Sequence, residues 1–185
     1  MSGHQKEIEE FGNNDDFWLF GYGEDHRGTP EAPGRVATLI DRAHWDTLSD
    51  HHEPTERVWG AAYHIPAPKV PEVREYLDIR EINGYSIQFT PFHPATSPSA
   101  TSPKPIKCLV YIGLPSNPQF LGPQDPEELA RHILKSKGPS GENREYLFNL
   151  EEALLGLSAD SGDWHVSDLV ERCRRIEGEE GGVGR

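Results

Sequence analysis

The amino-acid sequence predicts an α+β fold, in which strands and helices occupy different parts of the chain. Strand-forming runs lie in about the first two thirds of the 185 residues, and amphipathic helical patterns fill the last third. No regular strand–helix alternation, the mark of a parallel α/β protein, is present. A chain of this length is most simply one domain that buries roughly 70% of its unfolded-chain surface.

Five segments rich in aromatic and β-branched residues are predicted to be strands. They run from Phe17 to Phe20, Arg35 to Ile40, Arg57 to His64, Tyr85 to Thr90 and Ile106 to Ile112. The polar, His-rich stretch 41–56 is expected to form a loop or short turns. Residues 91–105 are rich in proline, serine and threonine, and we expect a mobile hairpin insertion there because they cannot bury a face.

Four segments carry helical spacing. A helix is predicted over Pro71–Leu77, and another begins at Asp125, whose carboxylate and the proline after it are typical of a helix start. Ser140 is the predicted cap of the third helix, and the fourth covers Asp163–Ile176. We expect a domain over residues 17–176, with disordered polar tails at 1–16 and 177–185.

Composition and charge exclude several classes of function. The net charge of −13 and the pI of about 5.1 argue against nucleic-acid binding, because phosphates favour lysine and arginine. The longest apolar runs have strand length, so we expect no membrane span, and the polar start has no secretory core. Two cysteines, Cys108 and Cys173, make no disulfide framework. We therefore predict a reduced, cytoplasmic protein.

Glu81 is the candidate catalytic residue. It lies at the end of a helical pattern, just before a turn that leads into the strand starting at Tyr85. A carboxylate at such a corner, with a tyrosine four residues later, is well placed to transfer protons. The alternative, a surface charge beside a turn, is the commoner explanation of such a glutamate when only the residues are considered.

The Gly21-Tyr22-Gly23 segment follows the first strand. Glycines let a backbone approach a ligand closely and direct N–H groups at its oxygens. The third glycine of a dinucleotide fingerprint is absent, and no helical pattern follows. A phosphate-binding loop is disfavoured because the chain is acidic and no lysine follows the glycines. A simple turn is the remaining alternative.

Metal and nucleophile chemistry find little support in the sequence. Histidines at 44, 51, 52 and 64 raise the question of zinc, which needs three or four ligands on rigid elements. His51 and His52 are adjacent in a polar loop and should point apart, so we predict no metal. A Gly-x-Ser-x-Gly motif is absent, and Cys108 has no histidine nearby in the sequence.

Several motifs in the chain resemble those of the ChaC-like glutathione-specific γ-glutamylcyclotransferases. The family's catalytic glutamate lies in a Tyr-Leu-x-x-Arg-Glu-x-x-Gly-Tyr pattern, and every fixed position of it is present from Tyr76 to Tyr85. The resemblance extends in the family's order from about Phe17 to Leu157. It includes the segments 17–23, 25–30, 34–39, 58–63, 111–113, 117–118, 120–122, 138–141 and 143–147.

This resemblance implies a small mixed β-barrel flanked by helices and a lyase of glutathione catabolism. The amine of the γ-glutamyl group attacks its own γ-carbonyl, which releases 5-oxoproline and Cys-Gly without metal or cofactor. Glu81 corresponds to the general acid/base. The substrate-binding positions are Leu19, Phe20, Gly21, Tyr22 and Gly23, with the hydroxyls of Tyr85 and Tyr111; core packing is an equally good explanation of the two tyrosines.

The chain departs from the family pattern after Gly23. In the family, the loop continues with Ser-Leu, a further strand and an Arg-Arg-Phe-Trp-Gln run before an Asp-His-Arg-Gly segment. Here only Glu24 separates Gly23 from Asp25, which is an apparent internal deletion. Two functions therefore stay open: an active glutathione-specific enzyme, and a catalytically impaired variant or isoform that acts as a binding or regulatory protein.

Overall fold

The computed structural model of the chain describes residues 16–21, 28–29, 32–81, 85–95, 103–117 and 119–182, without the side chains of 76–81, 85 and 182. Strands β1 to β6 of this part are Phe17–Gly21, Ala61–Ile65, Tyr85–Phe92, Ile106–Gly113, Lys137–Gly138 and Gly141–Glu142. Helices α1 to α5 are Arg42–Trp45, Val70–Glu81, Pro126–Lys135, Asn143–Leu157 and Trp164–Gly182, and the 3₁₀ turn Ala67–Lys69 precedes α2. The predicted α+β class is confirmed.

The chain forms two compact units, each assembled from several segments. As far as the structure describes them, the first contains residues up to Gly21 together with 38–44 and 61–120. The second contains residues 22–37, 45–60 and 121–185. The expectation of one domain over residues 17–176 stays a prediction.

A four-stranded mixed sheet organises the first unit. Its strand order is β2-β1-β4-β3, with β1 parallel to β4 and the other two pairings antiparallel. The central strand β4 has four consecutive buried residues, 108–111, so both of its faces are covered. A buried apolar cluster joins this sheet to α2; it consists of Phe17, Val70, Ile87, Leu109 and Tyr111.

The described strands do not close into the expected barrel. β2 and β3 lie at opposite edges of the sheet, and four strands are too few to close a barrel of ordinary size. The predicted strand from Arg35 to Ile40 is irregular. Side chains, not a neighbouring strand, form hydrogen bonds with the backbone at the start of this segment. The Asn143 side chain accepts from the N–H and donates to the C=O of Arg35, and Tyr146 Oη accepts from Ala37 N.

Three helices, α3 to α5, form the core of the second unit. Their buried apolar residues are Ala130, Ile133, Leu147, Leu169, Val170, Cys173 and Ile176. Asp125 caps α3 as predicted, since its Oδ1 accepts from the N–H groups of residues 127 and 128 at 3.0 and 2.9 Å. The hairpin β5–β6 occupies the position of the predicted Ser140 cap, and α4 begins after Glu142 instead.

Helix α5 covers the end of the expected domain and continues to Gly182. Ion pairs stabilise this part of the helix, because Arg144 pairs with Glu177 and Arg175 Nη1 lies 2.9 Å from Glu179 Oε1. The domain boundary at residue 176 stays a prediction. Residues 1–15, 96–102 and 183–185, which include nearly all of the predicted N-terminal tail and parts of the predicted insertion and C-terminal tail, lie outside the described residues. No described helix has both the length and the apolar character of a membrane span.

Candidate active site

Three neighbouring strands, β1, β4 and β3, have ends that lie together at one end of the sheet, and predicted site residues lie there. β1 and β4 are parallel, with Leu19 opposite Leu109. Two residues further along each strand are Gly21 and Tyr111, near the carboxyl ends. β3 is antiparallel to β4 and begins with Tyr85 opposite Gly113. The topology thus brings the end of β1 and two candidate tyrosine positions to the same end of the sheet.

Helix α2 brings Glu81 towards this end of the sheet. Glu81 is the last residue of α2, and β3 begins only four residues later at Tyr85. Since an extended residue spans at most ~3.6 Å, the Cα atoms of these two residues are within about 14 Å of each other. The side chains of Glu81 and Tyr85 lie outside the described part of the structure, as do all of Tyr22 and Gly23.

Leu19 and Phe20 belong to β1 rather than to a loop. Leu19 is half-buried against the sheet's apolar cluster, and Phe20 is buried with its ring centroid 6.0 Å from that of Phe92. These contacts show a packing role for both residues. Their predicted contact with substrate stays a prediction.

Gly21 ends β1 at a position where a larger residue would be crowded. A Cβ atom there would lie 3.0 Å from Cε2 of Tyr63, on the neighbouring strand β2. The glycine therefore lets the Tyr63 ring lie across the end of β1. Tyr63 is 57% exposed, so its ring can move aside, and the role of Gly21 in binding substrate stays a prediction.

Tyr111 is buried, with 3% of its surface exposed, and its ring is part of the sheet's apolar cluster. The packing alternative is therefore correct for the ring. A role of its hydroxyl in orienting substrate stays a prediction.

The thiol of Cys108 is not suited to nucleophilic catalysis. Cys108 is fully buried in β4, and burial raises the pKa of its thiol. A protonated thiol is a weak nucleophile.

Asn143 belongs to the family-like segment 143–147, but the sequence did not reveal what its side chain does. It is completely buried, and its Oδ1 and Nδ2 each lie 2.7 Å from a backbone atom of Arg35. These two hydrogen bonds, which we call the Asn143 clasp, hold the start of the Gly34–Leu39 segment, one of the family signatures. The two residues are 108 positions apart, so no local pattern indicates the contact.

Comparisons with known proteins agree with this architecture. Residues 12–176 match the sequence profile of the ChaC-like proteins. A glutathione-specific gamma-glutamylcyclotransferase of Schizosaccharomyces pombe is 41% identical over 86% of this chain and 77% of its own length. The human glutathione-specific gamma-glutamylcyclotransferase 1 is 34% identical over 79% of this chain and 60% of its own length.

A solved structure supports the same assignment. The crystal structure of the yeast gamma-glutamyl cyclotransferase specific to glutathione superimposes with a TM-score of 0.74 and 28% identity. The alignment covers 87% of this chain and 96% of that one. With a matching profile over most of its length and relatives above 30% identity, the chain belongs to the ChaC-like protein family.

Proposed function

We propose that this protein is a glutathione-specific γ-glutamylcyclotransferase, a carbon–nitrogen lyase of glutathione catabolism. The observation that carries the proposal is the 41% identity to the S. pombe enzyme of that name, together with the complete Tyr-Leu-x-x-Arg-Glu-x-x-Gly-Tyr pattern around Glu81. The position of Glu81 at the end of α2, four residues before β3, supports its role.

In the proposed mechanism, Glu81 acts first as a base and then as an acid. The α-amine of the γ-glutamyl group is an ammonium at neutral pH and cannot attack until it loses a proton. The Glu81 carboxylate takes that proton, and the amine nitrogen forms a bond with the γ-carbonyl carbon. As the C–N bond to cysteine breaks, Glu81 gives this proton to the leaving nitrogen and then passes on the second proton that the attacking nitrogen loses, which gives the neutral lactam 5-oxoproline and Cys-Gly with a free ammonium group.

The proposed substrate-binding groups surround this chemistry. The backbone from Leu19 to Gly23 would hold the γ-glutamyl end, and Tyr85 and Tyr111 would orient it. The reaction needs no metal or cofactor. We also propose a cytoplasmic location with no nucleic-acid or membrane partner, supported by the net charge of −13 and by two free, buried cysteines.

The experiment that tests this function compares glutathione with its N-acetylated form. We expect release of 5-oxoproline and Cys-Gly from glutathione and none from the acetylated compound, because its nitrogen cannot act as the nucleophile. Cleavage of both compounds would instead indicate hydrolysis by water. Binding of glutathione without any turnover would favour the impaired-variant alternative, for which the shortened loop after Gly23 is the specific observation.

A further inference from the structure

A histidine–aspartate cluster lies in the second unit, between the irregular segment 46–60 and the first turns of α5. His52 is its centre and is 5% exposed. Its ring is stacked on His165, with centroids 4.4 Å apart and an interplanar angle of 14°. One carboxylate lies near each ring nitrogen: Asp168 on the Nε2 side and Asp50 on the Nδ1 side. The proposed reaction uses none of these groups.

Asp168 determines which nitrogen of His52 carries the proton. Asp168 Oδ2 lies 3.0 Å from His52 Nε2 and also accepts from Arg172 Nε at 2.9 Å. A carboxylate paired with arginine is ionised and can only accept, so His52 Nε2 must be the donor. In the neutral ring, the lone pair is therefore on Nδ1.

The lone pair on Nδ1 faces a second acceptor. His52 Nδ1 lies 3.5 Å from Asp50 Oδ1, and it has no hydrogen-bond partner among the described residues. Asp50 Oδ1 also accepts a hydrogen bond from His52 N, at 2.8 Å, and lies beside the His52 ring in this structure. Two acceptors that face each other in a buried position require a proton or a cation between them.

A third potential ligand completes the group. One ligand atom each from Asp50, His52 and His165 lies within 4.8 Å of the others. We propose that these three side chains form a binding site for Zn²⁺, with a water molecule or other small ligand in the fourth position. Two imidazoles and one carboxylate suit zinc, whereas magnesium and calcium prefer oxygen ligands alone.

Zinc binding requires a small rearrangement of the stacked rings. Zinc–nitrogen bonds are about 2.0–2.1 Å long and lie in the ring plane, so the three ligand atoms must approach one another. His165 is only half-buried, and Asp50 belongs to an irregular segment, so both can turn. His52 stays in place because Asp168 orients it, in the carboxylate–histidine–metal arrangement common in zinc proteins.

A second set of ligands, His51, His52 and Asp168, is also close enough to hold a cation. It is less suitable because it needs His52 Nε2, whose proton Asp168 already accepts. Asp168 is in addition engaged by Arg172. The proposed site therefore uses Nδ1, and zinc would fasten residues 50–52 to the start of α5.

The test uses the untagged 185-residue chain after treatment with EDTA. Zn²⁺ is added while the melting temperature and the bound zinc are measured, with Mg²⁺ as the control cation. We expect one Zn²⁺ per chain and, at a concentration of a hundred times the Kd, a rise of about 5–10 °C. Co²⁺ in place of Zn²⁺ should give the visible absorption of a site with nitrogen and oxygen ligands.

Three variants distinguish the ligands. His165→Gln and Asp50→Asn should each weaken zinc binding more than tenfold, and Asp168→Asn should weaken it about 10–100-fold because it only orients His52. His51→Gln is the matched control and should bind zinc like the unaltered chain. These variants keep His52 itself, and far-ultraviolet circular dichroism establishes that each one folds.

Two results would overturn the proposal. The first is a chain that binds no Zn²⁺, which would mean that a proton bridges His52 and Asp50. The second is loss of binding in His51→Gln with retention in His165→Gln, which would assign the cation to the other set. Glutathione turnover is not the readout, so the outcome is independent of the proposed function.

Discussion

The side chain of Asn143 replaces a strand partner for Arg35: its Oδ1 accepts from Arg35 N and its Nδ2 donates to Arg35 O, both at 2.7 Å. Asn143 is fully buried at the start of α4. A side-chain amide has both a donor and an acceptor, so it can satisfy a backbone C=O and a backbone N–H at the same time. A family signature segment is thus held by one residue far away in the sequence.

We predict that Asn143→Ala destabilises the protein by about 2–4 kcal/mol, because both backbone groups of Arg35 lose their partner. Thermal unfolding measures this loss. Asn149→Ala is the matched control, since Asn149 is exposed on the same helix, and its effect should stay within about 0.5 kcal/mol. Equal melting temperatures for the two variants would contradict the importance of the clasp.

Gly28 lies in a turn that leaves no space for a side chain. Backbone hydrogen bonds of 3.1 Å in both directions join Thr29 and Ala32, and a Cβ on residue 28 would lie 2.0 Å from Gly34 N. Backbone atoms cannot yield as a flexible side chain can. We therefore expect Gly28→Ala to open the turn and to cost roughly 1–3 kcal/mol, measured as a lower melting temperature.

Gly156→Ala is the control for Gly28→Ala, and its expected effect on stability has the opposite sign. It lies within α4, and a Cβ there would meet nothing within 4 Å. Gly156→Ala should stabilise the protein by about 0.5–1 kcal/mol because alanine is the better helix former. A destabilisation by Gly156→Ala, or a neutral Gly28→Ala, would show that the local backbone differs from this description.

Local patterns predicted the elements whose stability is local. The strands at Phe17 and Ile106 and the Asp125 cap were predicted correctly, because apolar β-branched runs and a capping carboxylate act within a few residues. The strand expected from Arg35 to Ile40 was wrong, since Asn143 and Tyr146 take its backbone groups. Such competition from residues over 100 positions away leaves no mark in the segment itself.

For the candidate active site and for the His52 cluster too, the sequence predicted only what nearby residues determine. The position of Glu81 at a helix–strand corner was visible in the sequence, and residue 81 is the last of α2; its catalytic role stays a prediction. His52 was considered only with its neighbour His51, on the reasoning that adjacent side chains point apart; this was wrong, because the two rings meet edge to face with centroids 5.0 Å apart. Its partners His165 and Asp168 come from α5, more than 110 residues later. Only the fold brings them together.

Glu81→Gln should abolish most of the activity while leaving the fold intact. Glutamine has the shape of glutamate but cannot take the ammonium proton, so we expect 5-oxoproline formation to fall about 10²–10⁴-fold. Glu75→Gln is the matched control, because Glu75 is exposed on the same helix, α2. Near-normal turnover by Glu81→Gln would remove this residue from the mechanism.

Restoring the family segment after Gly23 tests whether this chain is fully active as it stands. The insert is taken from the S. pombe relative, which is 41% identical. In the described part of the chain, β2 and β3 are edge strands that pair on one side only, and edges of this kind promote aggregation. An added strand would also cover apolar surface, which stabilises by ~25 cal/mol per Å². In addition, Glu24 stands where the family has a loop serine, and its negative charge would repel an anionic substrate. We therefore expect the restored chain to melt at a higher temperature and to release 5-oxoproline faster.

Glu24→Ser without the insert separates the effect of the charge from the effect of the missing strand: it should improve turnover but not the melting temperature. Equal stability and equal turnover of the restored and original chains would mean that the segment is dispensable.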